Sequence, residues 1–519
     1  MDSKIKGHKE MAKRLVPEAV LIVILVSAFL FRVWLSAKSD FFSDSKSYFN
    51  LRQIESIRER GLPIIRDGLS YSGRTFSFVP GMHYLLAAVL LISGGLIGKS
   101  LLLKLALAAA EVTAALVGYL IVLETSMKKK AALISAFGIA FSPILIENTL
   151  NRISTYSLSV PINLLLIYLF IRSENSKRAA IGFIIALICA AFIDQLVLVT
   201  IIGLSVYVII ASSDGIEVGG GKKELIIFSV IFLIWFELIV FKEAILAHGW
   251  SILWGNIPPT ILSRYFRNIN MLLVIYRINA LAFLGGAYVL YTNMLGDKKD
   301  SIYLFTGMIF TLLGMLWLKL IDFNSGLLGL GLMFTILFGY SFYMIDEYIS
   351  KTKIAAARKA IILAIALLFI GTTFSAAYSS AIKSVEELPG RDELEALHFL
   401  RVLDKDGTIM SAPESGFYIE YFAEKPTVLD SDFLTIADAE RRYEDVKQVY
   451  STPYSIKAIE LMEKYDARLI YLSKREIEEY SVSELQYKDD KCFEEVYNSS
   501  AVKIFMRRCG LVPVSAQTS

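Results

Sequence analysis

Twelve helix-length apolar runs, each bounded by short clusters of charge, dominate the chain and leave little choice of fold. They fall near 19–37, 79–97, 101–122, 132–146, 157–171, 179–193, 196–212, 225–241, 271–291, 301–318, 327–345 and 360–378. A bilayer core takes about 20 apolar residues of helix, so runs of this length predict a polytopic α-helical membrane protein. Composition agrees, because 55% hydrophobic residues against 20% charged is too apolar for an ordinary soluble chain of 519 residues.

Charge placement orients the spans. If all twelve runs cross, Lys128 to Lys130, the Arg172/Lys177/Arg178 group, Lys222/Lys223, Lys298/Lys299 and the Lys351 to Lys359 cluster cannot share the N-terminal side; if 79–97 does not cross, all of them do. That run carries Pro80, Gly81, His83, Gly94 and Gly95, which suit a re-entrant or surface-lying helix. The expectation is therefore about eleven transmembrane helices, with the N-terminus cytoplasmic and the C-terminal domain extracytoplasmic. The first run, behind Lys4, Lys6, Lys9, Lys13 and Arg14, is longer than a signal-peptide core and reads as a retained span. The boundaries this gives are a membrane domain over 1–380, with a long first outer loop at 38–99, and an outer domain over 381–519.

Beyond the last run the pattern becomes charged and alternating. Thr408 to Ser411, Thr427 to Leu429 and Leu469 to Leu472 read as strands, Ile456 to Tyr465 as a helix, and Phe493 to Tyr497 with Val502 to Met506 as a hairpin. These predict a small α/β domain. Cys492 and Cys509 flank the hairpin; pairing them needs an oxidising compartment, and the pattern leaves the pairing open. Cys189 sits in an apolar run as a small core residue.

The net charge of +3 is small and its basic residues are dispersed, which argues against nucleic acid as a partner. Gly215 to Lys223 lacks the spacing and the hydroxyl of a phosphate loop, and no Cys/His spacing marks a zinc site. The polar residues that can carry chemistry gather on the outer loops.

Asp44, in Ser43-Asp44-Ser-Lys-Ser-Tyr48-Phe49 just after the first span, can ligate a divalent cation or accept a proton. It also precedes a helical stretch that it can cap, and the two roles are compatible. Arg74, His83, Arg152, Arg264 and Arg277 are candidates for an anionic ligand, since guanidinium groups pair well with phosphate. Arg277 lies inside an apolar run: either it binds a lipid phosphate, or it snorkels or pairs with Asp322 or Glu237.

These features together resemble the C-type (GT-C) polyprenyl-phosphate-dependent glycosyltransferases, above all oligosaccharyltransferase catalytic subunits and protein mannosyltransferases. Asp44 matches the family's first-loop acid, and Phe78-Val-Pro80-Gly-Met-His83-Tyr-Leu-Leu its partly embedded helix. Asn151-Arg152-Ile-Ser154-Thr-Tyr156-Ser157-Leu-Ser159 is similar to the second outer loop, with Ser157 and Ser159 in place of the paired acids. Ala412 to Asp430 resembles the region of the family's Trp-Trp-Asp-Tyr-Gly motif; Gly416 remains and Glu414 stands where the aspartate would be.

The resemblance implies an integral-membrane glycosyltransferase acting on a polyprenyl-phosphate-linked donor and a protein, lipid or glycan acceptor among membrane lipids, with inversion at the anomeric carbon. Asp44 would be catalytic, and Asp44 with Asp322 would hold a divalent cation, Mg or Mn. Tyr48, Tyr156 and Glu414 fall on the acceptor side. The rival readings are a transporter or flippase of lipid-linked saccharide and a non-catalytic relative.

Overall fold

The computed structural model describes residues 2–267, 270–403, 407–488 and 491–511, with the side chains of 2–15, 264, 265, 267 and 297 outside the described residues. The chain divides into two compact units: Met1–Asp40, Val79–Val240 and Phe266–Glu386 form one, and Phe41–Phe78, Phe241–Tyr265 and Glu387–Ser519 the other.

The first unit is a helix bundle. Among the described residues eight helices are long and apolar enough to cross a membrane, or ten counting the bent apolar segments that begin at Gly220 and Met271. The expected eleventh crossing is the 15-residue helix Lys177–Ala191, short for a bilayer. Gly81–Ile92 is a 12-residue apolar helix, too short to span.

Polar and small residues explain the breaks and close contacts. The run 271–291, expected to be one helix, breaks at Asn279, whose φ of 77° starts a new helix. Its amide oxygen accepts from Leu281 N–H at 2.9 Å and its amide nitrogen donates to the Thr373 hydroxyl at 2.7 Å. Gly81 starts its helix with its N–H on the carbonyl of Phe192 at 2.9 Å. A Cβ there would sit 2.0 Å from that oxygen, so only glycine fits. A Cβ at Gly307 would come 2.6 Å from the Tyr207 backbone, and such small residues let membrane helices approach.

The second unit is built on a four-stranded sheet ordered β3-β4-β6-β5, with β3 Thr408–Met410, β4 Ala467–Ser473, β5 Phe493–Asn498 and β6 Val502–Arg507. β3 runs parallel to β4, and the other pairs are antiparallel. The expected strand at 427–429 is reduced to one bridge between Ile409 and Thr427. The helix predicted over 456–465 is Ser455–Lys464. Cys492 and Cys509 form a disulfide.

The 41–78 segment is folded into this unit. It contributes the helix Ser45–Arg60 and a short ribbon pairing β1 Arg66–Asp67 with β2 Arg74–Thr75. Tyr71 packs in the same core as Met410, Val428, Tyr443 and Phe505. From the other side of the sequence Ile261 joins that core, and the Asn256 amide donates to the carbonyls of Phe433 at 2.9 Å and Ile436 at 2.6 Å.

Candidate active site

Asp44 occupies the N-cap of Ser45–Arg60 in extended backbone (φ −123°, ψ 152°), but its side chain makes no capping bond to the helix backbone. One carboxylate oxygen, Oδ1, accepts from the Ser47 hydroxyl, and Oδ2 has no hydrogen-bond donor among the described residues. Asp44 is half-buried while Ser45, Ser47, Tyr48 and Phe49 beside it are buried. The helix therefore fixes the carboxylate from below and leaves one oxygen uncommitted.

An aromatic wall adjoins it. The Tyr48 ring lies 4.9 Å from those of Tyr418 and Phe422 and 5.2 Å from Tyr421. Tyr48 is fully engaged: its hydroxyl accepts from Phe42 N–H at 3.1 Å and donates to Phe42 O at 3.2 Å. Burial, with the negative charge of Asp44 contributing, pushes that hydroxyl well above the usual tyrosine range. Tyr48 is thus a wall of the site and stays protonated. Tyr418 donates to Ser43 O at 3.1 Å, and the Arg475 guanidinium, paired with Glu393, stacks 4.2 Å over the Tyr418 ring. The sequence reading missed Arg475 and Glu393, whose only signal is an ordinary charged context in a helix.

Gly416 has a steric reason to be glycine. A Cβ there would fall 2.5 Å from Leu429 O and 2.6 Å from Asp430 Cβ. That close approach seats the helix Pro413–Tyr418 on Leu429 and Asp430, and the same helix packs its Phe417 ring 5.2 Å from that of Phe49. Glu414 projects from its first turn as an exposed residue.

Arg74 lies elsewhere in the same unit and is committed to the fold. Its guanidinium pairs with Asp430 at 3.4 Å and Asp432 at 3.6 Å, bonds the Asp432 carbonyl and stacks 3.9 Å over Phe76. Only 2% of its side chain is exposed, so the expected phosphate ligand is a buried anchor. Nearby, Arg52 bridges Asp67 at 2.8 Å and Glu420 at 2.9 Å. Burial raises the Asp430 carboxyl to about 6 against the opposing pull of Arg74, and raises Glu420 as well.

The remaining candidates belong to the bundle. Arg277 does not pair with Asp322 or Glu237; it pairs with Glu147 at 2.8 Å and donates to Asn324 at 3.1 Å. Asp322 is the N-cap of Phe323–Ser350, accepting from Ser325 N–H at 2.9 Å and from the Ser325 hydroxyl. Tyr156 donates to Asp322 at 3.3 Å and also meets Ser325, so these two candidates do come together. His83 is buried on Gly81–Ile92. Arg264 belongs to Pro259–Arg267, and its side chain is outside the described residues.

Arg152 lines a cavity of about 10 Å³ with Arg32, Lys104, Glu111 and Asn151, room for about one water. Arg32 and Glu111 pair at 2.9 Å with 1% and 3% side-chain exposure, and Ser157 donates to Glu111 at 2.8 Å. Here the sequence did carry a signal, an arginine and a glutamate within apolar runs. Glu111 thus reaches Ser157 from a neighbouring helix while paired with Arg32.

Among the described residues no group of three His, Cys, Asp or Glu side chains could hold a metal ion. Asp322 caps its own helix.

A helix bundle and a small sheet-bearing unit in one chain make a fold found among solved structures. Solved structures of that fold align with nearly the whole chain. The archaeal oligosaccharyltransferase AglB from Archaeoglobus fulgidus, in complex with an inhibitory peptide and a dolichol-phosphate, aligns with a TM-score of 0.69 at 14% identity over 90% of this chain and 70% of that one. ArnT from Cupriavidus metallidurans bound to undecaprenyl phosphate aligns at 0.54 and 10% identity over 95% and 98%. The arabinofuranosyltransferase AftD from Mycobacteria gives 0.54 and 13% over 95% of this chain and 40% of that chain. No family model matches the sequence, and no curated protein matches it.

Proposed function

We propose that this protein is an integral-membrane glycosyltransferase that moves a sugar or glycan from a polyprenyl-phosphate-linked donor to a protein, lipid or glycan acceptor. The observation that carries the reading is the Asp44 carboxylate: held by Ser47, walled by Tyr48 and Tyr418, with Oδ2 uncommitted. The fold supports the donor class, because AglB and ArnT have been solved with dolichol-phosphate and undecaprenyl phosphate.

In the proposed reaction the acceptor heteroatom attacks the anomeric carbon as the bond from that carbon to the phosphate oxygen breaks, with inversion. The electron pair leaves with the polyprenyl phosphate, and the acceptor proton passes to Asp44. A carboxylate fixed at a helix start performs both positioning and proton acceptance. We assign the donor phosphate to Arg152 because it lines a polar cavity with two further cationic side chains, Arg32 and Lys104.

AglB has also been solved with Zn and sulfate. The side chains of the described residues do not make a metal cage, and no step is assigned to a metal. A divalent cation, Mg or Mn, would have Asp44 as its protein ligand and take its other positions from phosphate oxygens and water. The disulfide supports placing the second unit outside the cytoplasm.

Purified protein in detergent, given an isotopically labelled lipid-linked sugar and candidate acceptors, should release polyprenyl phosphate as the acceptor gains label. Donor movement across vesicles with no turnover in detergent would overturn the reading in favour of a transporter.

A further inference from the structure

Between the helix that ends at Val240 and the one that begins at Met271 lies a segment whose two faces are both apolar. One face is accounted for by folding: Phe241 and Ala244 are buried, and Ile245, His248 and Ile252 half-buried. Outside that face stand Leu246 (77% exposed), on the helix Lys242–His248, and Trp250 (83%), Leu253 (49%) and Trp254 (37%), on the 3₁₀ turn Gly249–Trp254 that follows the break at Gly249. Just downstream, Asn256, Ile257 and Ile261 fasten the segment to the core of the sheet domain. Two tryptophans and two leucines exposed within nine positions mark an interaction site.

The chain itself limits what can cover these residues. Membrane-length apolar segments stand on both sides, so the exposed residues are tethered close to where a span leaves the bilayer. The other three tryptophans, Trp34, Trp235 and Trp317, are exposed near the ends of apolar helices at Ser36, Val240 and Trp317. The positive-inside reading puts those three ends on one side of the membrane. Tryptophan concentrates at the level of lipid headgroups, where an apolar body and an N–H are both satisfied.

We propose that residues 242–254 lie in the lipid headgroup interface, with Leu246, Trp250, Leu253 and Trp254 seated at the acyl boundary. The segment then works as a strap that holds the sheet domain on the bilayer through Asn256, Ile257 and Ile261. The partner is the lipid surface, and the inference does not depend on transfer activity.

The test is made on the full chain in phosphatidylcholine vesicles, with Trp34→Phe, Trp235→Phe and Trp317→Phe, so that only Trp250 and Trp254 emit. The expected result is blue-shifted emission, quenched strongly by lipids carrying a nitroxide near the headgroup and weakly by aqueous iodide. Strong iodide quenching with no lipid quenching overturns the proposal. Protection from both quenchers that appears only as the protein-to-lipid ratio rises also overturns it, in favour of a second copy of the chain on this face. Should the triple variant fail to fold, Leu246→Cys in a Cys189→Ser background, spin-labelled, reports the same thing. Access to oxygen exceeding access to a water-soluble nickel chelate supports the lipid seat, and the reverse order contradicts it.

Discussion

Single side chains in this protein divide into those that hold the fold and those left available for chemistry, and the division is set by partners rather than by residue type. Arg74, Arg277 and Arg152 look alike in sequence. Arg152 lines a small cavity with Arg32 and Glu111, whereas Arg74 is buried on Asp430 and Arg277 is held by Glu147. Those partners are 356 and 130 residues away in the chain, which is why no local pattern could supply them. Asp44 is the opposite case: its place before an amphipathic stretch was readable, and the N-cap is where it stands. The Arg32–Glu111 pair allows a prediction at this scale. Glu111→Ala strands a buried guanidinium and should destabilise the bundle by about 3–5 kcal/mol, seen as a lower unfolding midpoint in detergent. Glu111→Gln, which can still accept from Ser157, should lose less.

Elements follow the same logic one level up. The apolar runs fall on helices because each span must satisfy its backbone internally, a demand that is written in consecutive residues. The hairpin Phe493–Asn498 and Val502–Arg507 was legible for a similar reason, as alternation around a short turn. The break at Asn279 was not, because its side chain caps the next helix only where Thr373 is at hand. Thr427 to Leu429 alternates like a strand yet forms one bridge, since Gly416 brings the Pro413–Tyr418 helix onto Leu429 and Asp430 there. Gly416→Ala should therefore cost about 1–3 kcal/mol by overpacking, measurable as a drop in the unfolding midpoint of the sheet-bearing unit.

The pair of Asp430 and Arg74 adds a pH dependence. With its carboxyl raised to about 6 by burial, the folded state holds the Asp430 proton more tightly than the unfolded chain does. The contribution is present below the unfolded value and is lost as pH rises through about 6, so wild type should lose stability relative to Asp430→Asn across that window. Thermal unfolding of both proteins over a pH series checks it; a difference that stays constant with pH contradicts it.

At the scale of the whole molecule, residues 41–78 and 241–265 fold with the chain after Glu386, although each is flanked in sequence by membrane helices. Loop composition does not reveal this, because the contacts that decide it, such as Thr427 N–H on Leu69 O at 2.8 Å, join segments far apart. The consequence is functional: the proposed base is carried by the same compact unit as the glycine-containing segment Ala412 to Asp430, and Tyr418 of that segment bonds Ser43 beside Asp44. If this carboxylate accepts the acceptor's proton, its charge is needed and its size is not. The decisive measurement compares wild type with Asp44→Asn in transfer from a polyprenyl-phosphate-linked sugar, with unfolding midpoints recorded alongside. A loss of about 100-fold or more in turnover at an unchanged midpoint is the predicted result; turnover equal to wild type would contradict the central claim.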